Sequence, residues 1–130
     1  MTEIVSFNLA FLAKVRGFNE KCDYYYLLDH PKPFKVWDKS KYDFIHVDNL
    51  KQQIITSAPY LSQLQKWLRE ERQCYIQPVL VEQFNPLGGW GYEITYIDRE
   101  GEMRNTDENE EYETYELALD HAMCRALVII

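Results

Sequence analysis

Ala58-Pro59-Tyr60-Leu61-Ser62-Gln63-Leu64-Gln65-Lys66-Trp67-Leu68-Arg69-Glu70 is the stretch whose reading decides how this chain folds. Pro59 suits a first helical turn, where a backbone N–H is not needed. Tyr60, Leu61, Leu64, Trp67 and Leu68 recur at spacings of three and four, which predicts a helix with one apolar stripe. Gln63, Gln65, Lys66, Arg69 and Glu70 lie mostly off that stripe. A stripe of this width has to be buried. The helix therefore stands between two halves of the chain and calls for a core around it.

Toward the N-terminus, Ser6 reads as an N-cap, Phe7 to Arg16 as a helix and Gly17 as its stop. Leu9, Leu12, Ala13 and Val15 give that helix a broad apolar side, and Phe18 can fold back onto it. Asp23-Tyr24-Tyr25-Tyr26-Leu27-Leu28 is a strand by its aromatic content. Asp29-His30-Pro31-Lys32-Pro33 breaks it, and Phe34-Lys35-Val36-Trp37 pairs back as the second arm of a hairpin. In residues 38–57 the alternation of Tyr42, Phe44 and His46 with Asp43 and Ile45 suggests a short strand. Leu50 to Ile55 fits either a helical turn or a strand.

Toward the C-terminus, Cys74 to Phe84 predicts a strand, with Pro78 confining it to an edge or a bulge. Asn85-Pro86-Leu87-Gly88-Gly89 is a turn. Trp90, Tyr92, Ile94 and Tyr96 then alternate with Gly91, Glu93 and Thr95, the clearest strand pattern in the chain. Asp98-Arg99-Glu100-Gly101 turns it, and Glu102 to Thr106 returns. Residues 107–113 hold five carboxylates and read as an acidic linker. Thr114 caps a last helix in which Tyr115, Ala118, Leu119, Ala122, Met123, Ala126 and Leu127 form one stripe, with Glu116 suited to the helix N-terminus.

These elements predict an α+β fold, an antiparallel β-meander with helices packed on one face. The order is α-β-β, an undecided middle, then α-β-β-β-α. At 130 residues a single domain over 1–130 is expected, divisible, if at all, into halves 1–57 and 58–130. Each half runs helix, polar stretch, Cys, then a Tyr-bearing strand, a faint internal echo.

Composition narrows the function classes. Residues 1–57 hold eight Lys or Arg against seven Asp or Glu, and residues 58–130 hold six against fourteen. The resulting net charge of −7 opposes non-specific binding to phosphate backbones, which makes nucleic acid an unfavoured partner. Cys22, Cys74 and Cys124 are odd in number and widely spaced, as expected of free thiols in a reducing cytoplasm. Nothing in the sequence has the pattern of a signal peptide or a membrane span.

Three blocks carry a resemblance. They are Val5-Ser6-Phe7 to Leu12-Ala13-Lys14 with Gly17-Phe18; Ala58-Pro59 with Leu64-Gln65-Lys66-Trp67-Leu68-Arg69-Glu70; and Tyr112-Glu113-Thr114-Tyr115-Glu116-Leu117-Ala118-Leu119 with the ending Ala126-Leu127-Val128-Ile129-Ile130. Together they resemble a group of small uncharacterised bacterial proteins common in Bacteroidetes genomes and their phages and mobile elements. Val128 departs from the lysine usual there. The resemblance implies a complete single-domain protein ending at Ile130, in a phage or mobile-element context, and brings no activity with it.

No catalytic, metal or phosphate motif stands out, and no cofactor is expected. His121 and Cys124 lie three apart on the last helix, half of a metal site that lacks a second half. Cys-His chemistry is open on residue types alone, through Cys22, Cys74, Cys124, His30, His46 and His121, but nothing singles out a pair. Residues 58–130 share the α-β-β-β-α order of double-stranded-RNA-binding domains. Asp107, Glu108, Glu110, Glu111, Glu113 and Glu116 stand where those modules carry cations. The tyrosine-rich composition is the better lead, because Tyr and Trp are enriched at protein contacts. A surface including Tyr24, Tyr25, Tyr26, Trp37, Trp90, Tyr92 and Tyr96 is the candidate site. The expected function is a non-catalytic accessory or protein-interaction module, self-associating or binding another protein. The alternatives are a nucleic-acid-related role, by binding or acidic mimicry, and a small Cys/His enzyme.

Overall fold

The computed structural model describes residues 3–27, 32–35, 46–48, 53–81 and 89–130. Among them run α1 (Phe7–Val15), β1 (Tyr24–Leu27), β2 (Phe34–Lys35), β3 (His46–Asp48), β4 (Gln53–Ala58), α2 (Leu61–Arg72), β5 (Cys74–Leu80), β6 (Trp90–Ile97), β7 (Met103–Tyr112) and α3 (Tyr115–Ile129). The fold is α+β and its strand pairings are antiparallel. The strands divide between two sheets, ordered β2-β1-β4-β3 and β5-β6-β7. The chain forms two compact units, Met1–Leu64 and Gln65–Ile130, so the division falls inside α2 rather than before it. No helix among the described residues is long and apolar enough to cross a membrane.

In the first unit, the Ser6 hydroxyl accepts from the Leu9 N–H at 3.3 Å and caps α1. The helix ends where Gly17 takes φ 103°. The Gly17 N–H donates to the Lys14 carbonyl and the Phe18 N–H to the Ala13 carbonyl, the paired bonds of a Schellman ending. Phe18 folds back and is buried, as the sequence predicts. Val15 is not part of the apolar side: it is 59% exposed, and Lys14 is buried in its place. The reason is that the Lys14 ammonium has a partner inside, the Phe18 carbonyl at 2.9 Å. Helix α1 packs on β4. Strand β1 lies between β2 and β4, with Tyr25 opposite both Phe34 and Ser57.

The start of α2 also differs from the sequence reading. Pro59 lies before the helix rather than in its first turn. The chain from Glu3 to Val5 pairs with it: Val5 N–H donates to the Pro59 carbonyl at 3.1 Å, and Leu61 N–H donates to the Glu3 carbonyl at 2.8 Å. Those bonds hold residues 59 and 60 extended, and the Tyr60 carbonyl then receives the first helical bond from Leu64. Four members of the predicted stripe, Leu61, Leu64, Trp67 and Leu68, are buried, while Tyr60 precedes the helix and is half-buried.

In the second unit, α3 lies against β5, β6 and β7. The Thr114 hydroxyl accepts from the Leu117 N–H at 3.1 Å as its cap. Ala118, Leu119, Ala122, Met123, Ala126 and Leu127 are buried, the stripe read from their spacing. Cys74, Ile76 and Pro78 on β5 and Tyr92 and Ile94 on β6 are buried too. The register sets Ile76 opposite Ile94 and Pro78 opposite Tyr92, so these residues share one face of the sheet. Trp90 and Tyr112 reach Tyr115 and His121 of α3, which identifies that face as the one α3 covers.

The acidic linker expected over 107–113 is instead the outer half of β7, which runs to Tyr112. Asp107 and Glu108 pair with Glu93 and Tyr92, and Tyr112 pairs with Trp90 after a register shift. Backbone ladder bonds and the Tyr112 ring stack outweigh the charge, which an edge strand tolerates because its outer side is solvated. The internal echo does not extend to topology. The first strand of the first unit is central in its sheet, whereas β5 is an edge strand. The predicted turn at residues 85–88 and the strand suggested around Tyr42 and Phe44 lie outside the described residues.

Candidate functional site

One face of the β5-β6-β7 sheet is covered by α3, and the other is open. Strand alternation puts Tyr75, Gln77 and Val79 of β5 on the open face, with Glu93, Thr95 and Ile97 of β6 and Met103, Asn105 and Asp107 of β7. Four of these are large apolar side chains in contact with water: Tyr75 is 51% exposed, Val79 37%, Ile97 47% and Met103 75%. They are spread around a polar middle row, Gln77 opposite Glu93 opposite Asp107. Thr95 and Asn105 are joined by a 2.8 Å bond from the asparagine amide to the threonine hydroxyl. Gly91 lies opposite Val79 and is itself buried.

The edge of this sheet at β5 is closed to strand addition. Pro78 has no N–H to donate. The Gln65 amide, from α2, donates to the Ile76 carbonyl at 2.9 Å. Gln65 and Arg69 thereby wall a shallow groove of about 320 Å³ whose floor includes Tyr75, Gln77, Glu93 and Thr95. A partner meeting the β5 side of this sheet is directed to its face rather than to that edge.

The aromatic residues expected to form a surface are divided by the fold. Tyr26 is buried, its hydroxyl donating to the Val5 carbonyl at 2.8 Å and its ring edge-on to Phe7. Tyr92 is buried and stacks with Tyr112, which stacks on His121 at 4.6 Å. These two are core. Tyr24 lies edge-on to Tyr60, and Tyr25 stacks on Phe34. Trp90 meets Tyr115 edge-on at 5.3 Å. Tyr24, Tyr25, Trp90 and Tyr96 are half-buried, and Trp37 lies outside the described residues. The β6 members, Trp90, Tyr92 and Tyr96, alternate on the face that α3 covers. The open face was carried instead by Tyr75, Val79, Ile97 and Met103, whose signal was the opposite phase of the same alternation.

The reactive residue types have other duties. Burial pushes the Cys22 and Cys124 thiols up to about 12 and the Cys74 thiol to about 11, away from the thiolate that nucleophilic chemistry needs. Cys124 lies 3.9 Å from an Asp120 carboxylate oxygen, while His121 stacks on Tyr112, so the two do not converge on one point. Asp98, Glu100 and Glu102 bring carboxylates together at the β6–β7 turn. Asp98 is engaged there: one oxygen accepts the Glu100 and Glu102 N–H groups and the other the Arg104 guanidinium at 2.8 Å. That arrangement shapes the turn. The start of α3, where double-stranded-RNA-binding modules place cations, carries Glu113 and Glu116.

No family model, curated protein or solved structure matches the chain.

Proposed function

We propose that this protein is a non-catalytic interaction module that binds another protein through the open face of its β5-β6-β7 sheet, in the phage or mobile-element setting implied by the sequence resemblance. The observation that carries this reading is the exposure of Tyr75, Val79, Ile97 and Met103 on one sheet face whose opposite side is filled by α3. Large apolar side chains gathered on one surface and interspersed with polar groups favour association over solvation. A partner other than a second copy is favoured by charge. A two-fold contact of this face with itself would set Glu93 and Asp107 against their own equivalents.

The experiment is co-purification from the cells that carry the protein, comparing the parent chain with Tyr75→Ser and Met103→Ser. Both substitutions are at exposed sites, so the fold is retained. A protein captured by the parent and by Val15→Ser, an exposed substitution in the first unit, but lost from both face variants is the expected result. Capture that ignores Tyr75 and Met103 contradicts the reading.

A further inference from the structure

Resting on the open sheet face as a contact surface, we propose that its occupant is a basic amphipathic helix of the partner protein. The shape of the face argues for a helix. Three strands span about 10 Å between their outer axes, the width of one helix. The seven residues from Gly91 to Ile97 span about 20 Å, the length of about 13 helical residues. The opposite face is already filled by one helix, α3. Strand addition is blocked at β5 by Pro78 and the Gln65 amide.

The charge argues for a cationic partner. Glu93 and Asp107 are direct cross-strand neighbours. Like charges in that relationship destabilise a sheet. Among the described residues neither carboxylate has an ion pair or hydrogen bond. Arg69 lines the same groove as Glu93 without closing a salt bridge. A helix presenting Lys or Arg to this middle row, and apolar groups to Val79 on one side of it and to Tyr75, Ile97 and Met103 on the other, matches both features. A two-sided local cost retained on a surface is what a binding site shows when its partner supplies the missing charge.

The test uses the isotope-labelled full chain and three synthetic 14-residue peptides, followed by amide chemical shifts. One is an amphipathic Leu/Lys helix, one its Leu/Glu counterpart, and one a Leu/Lys peptide of the same composition with its helical pattern scrambled. The Leu/Lys helix is expected to shift the amides around Gln77, Glu93 and Asp107. Its affinity should fall about 2- to 5-fold with Glu93→Gln and again with Asp107→Asn, the range of an exposed ion pair. It should also weaken with added salt. The Leu/Glu helix and the scrambled peptide should each bind at least about ten-fold more weakly. Either single variant suffices should the other fail to fold. If the Leu/Glu or the scrambled peptide binds the open face as well as the Leu/Lys helix does, or both variants bind it unchanged, the basic helix is wrong while the contact face stands. If no peptide shifts the open face, or the shifts centre elsewhere, the inference and the contact face fall together.

Discussion

The ammonium of Lys14 donates to the carbonyl of Phe18 at 2.9 Å and lies 5.2 Å from the centre of the Phe18 ring. One residue thus completes the end of α1 from inside the fold. It satisfies a carbonyl just beyond the Schellman turn, and the ring that has folded back covers the charge. Lys14→Met keeps the aliphatic stem but leaves that carbonyl without this donor. Loss of a buried polar partner costs about 1–3 kcal/mol. Urea denaturation should show a lowered midpoint of that order. An unchanged or raised midpoint would mean that desolvating the ammonium costs as much as its bonds return.

Gln73 takes φ 48° immediately after α2, a left-handed conformation that glycine adopts without strain. Gln73→Gly should therefore stabilise the protein by about 0.5–1 kcal/mol. Most residues lose stability on conversion to glycine, so the sign is diagnostic. A decrease in denaturation midpoint would show that the Gln73 side chain contributes more than its backbone costs.

Ser6→Ala and Thr114→Ala each remove a hydroxyl that accepts a first-turn N–H. Each should cost about 1 kcal/mol, and the glycine equivalents only a few tenths. The two sites are far apart in sequence and in different units, so the double variant should show the sum. Equal losses for alanine and glycine would place the effect in the backbone and not in the cap.

The pH dependence follows from the direction of each shift. The three thiols have folded values raised above the ordinary 9.0, to about 11 for Cys74 and about 12 for Cys22 and Cys124, chiefly by burial. Their contribution is fully present below pH 9 and is lost as pH rises from there toward the folded values. Asp98 is shifted the other way, held below the usual carboxylate range chiefly by the Arg104 guanidinium beside it. Its contribution is present above its unfolded value and disappears as pH falls through the folded one, and Asp98→Asn should remove that acid-side slope. Thermal unfolding across pH reads both limbs. In the native protein at pH 7.5, iodoacetamide should modify all three cysteines far more slowly than in denaturant. One fast cysteine would reopen thiol chemistry.

Neutralising either member of the Glu93–Asp107 pair should raise stability, because like charges stand directly opposite in the register. The expected gain for Glu93→Gln or Asp107→Asn is about 0.2–1 kcal/mol at low ionic strength, shrinking in salt. A loss on substitution would mean that the row is stabilising in the free protein.

The helices and the strand types were legible because local chemistry and periodicity agree in them. Ser6 and Thr114 announce their helices by capping, and the α3 stripe is buried from Ala118 to Leu127, with Tyr115 half-buried at its start. The antiparallel pairing of Tyr24–Leu27 with Phe34–Lys35 was legible from the intervening break. What was not legible depended on distant backbone. The segment from Glu3 to Val5 fixes residues 59 and 60 as extended, and no local signal at Pro59 reports that. The acidic run became β7 because β6 offered it a ladder. Lys14 reads as a solvated residue until the Phe18 carbonyl is in place. For the candidate site, the aromatic content draws attention to the covered side of the second sheet. Trp90, Tyr92 and Tyr96 are the conspicuous residues, yet alternation gives the open side to the less conspicuous Tyr75, Val79, Ile97 and Met103.

The most direct test of the contact face is oxidative footprinting, which reads solvent access at Met103 and Tyr75. In the isolated protein, Met103 should oxidise readily while Met123, wholly buried on the inner face of α3, stays protected. In the complex with the protein that co-purifies with it, Met103 and Tyr75 should both become protected while Val15, on the first unit, labels as before. Protection of Met103 in the isolated monomer, or unchanged labelling of Met103 and Tyr75 in the complex, would contradict the account.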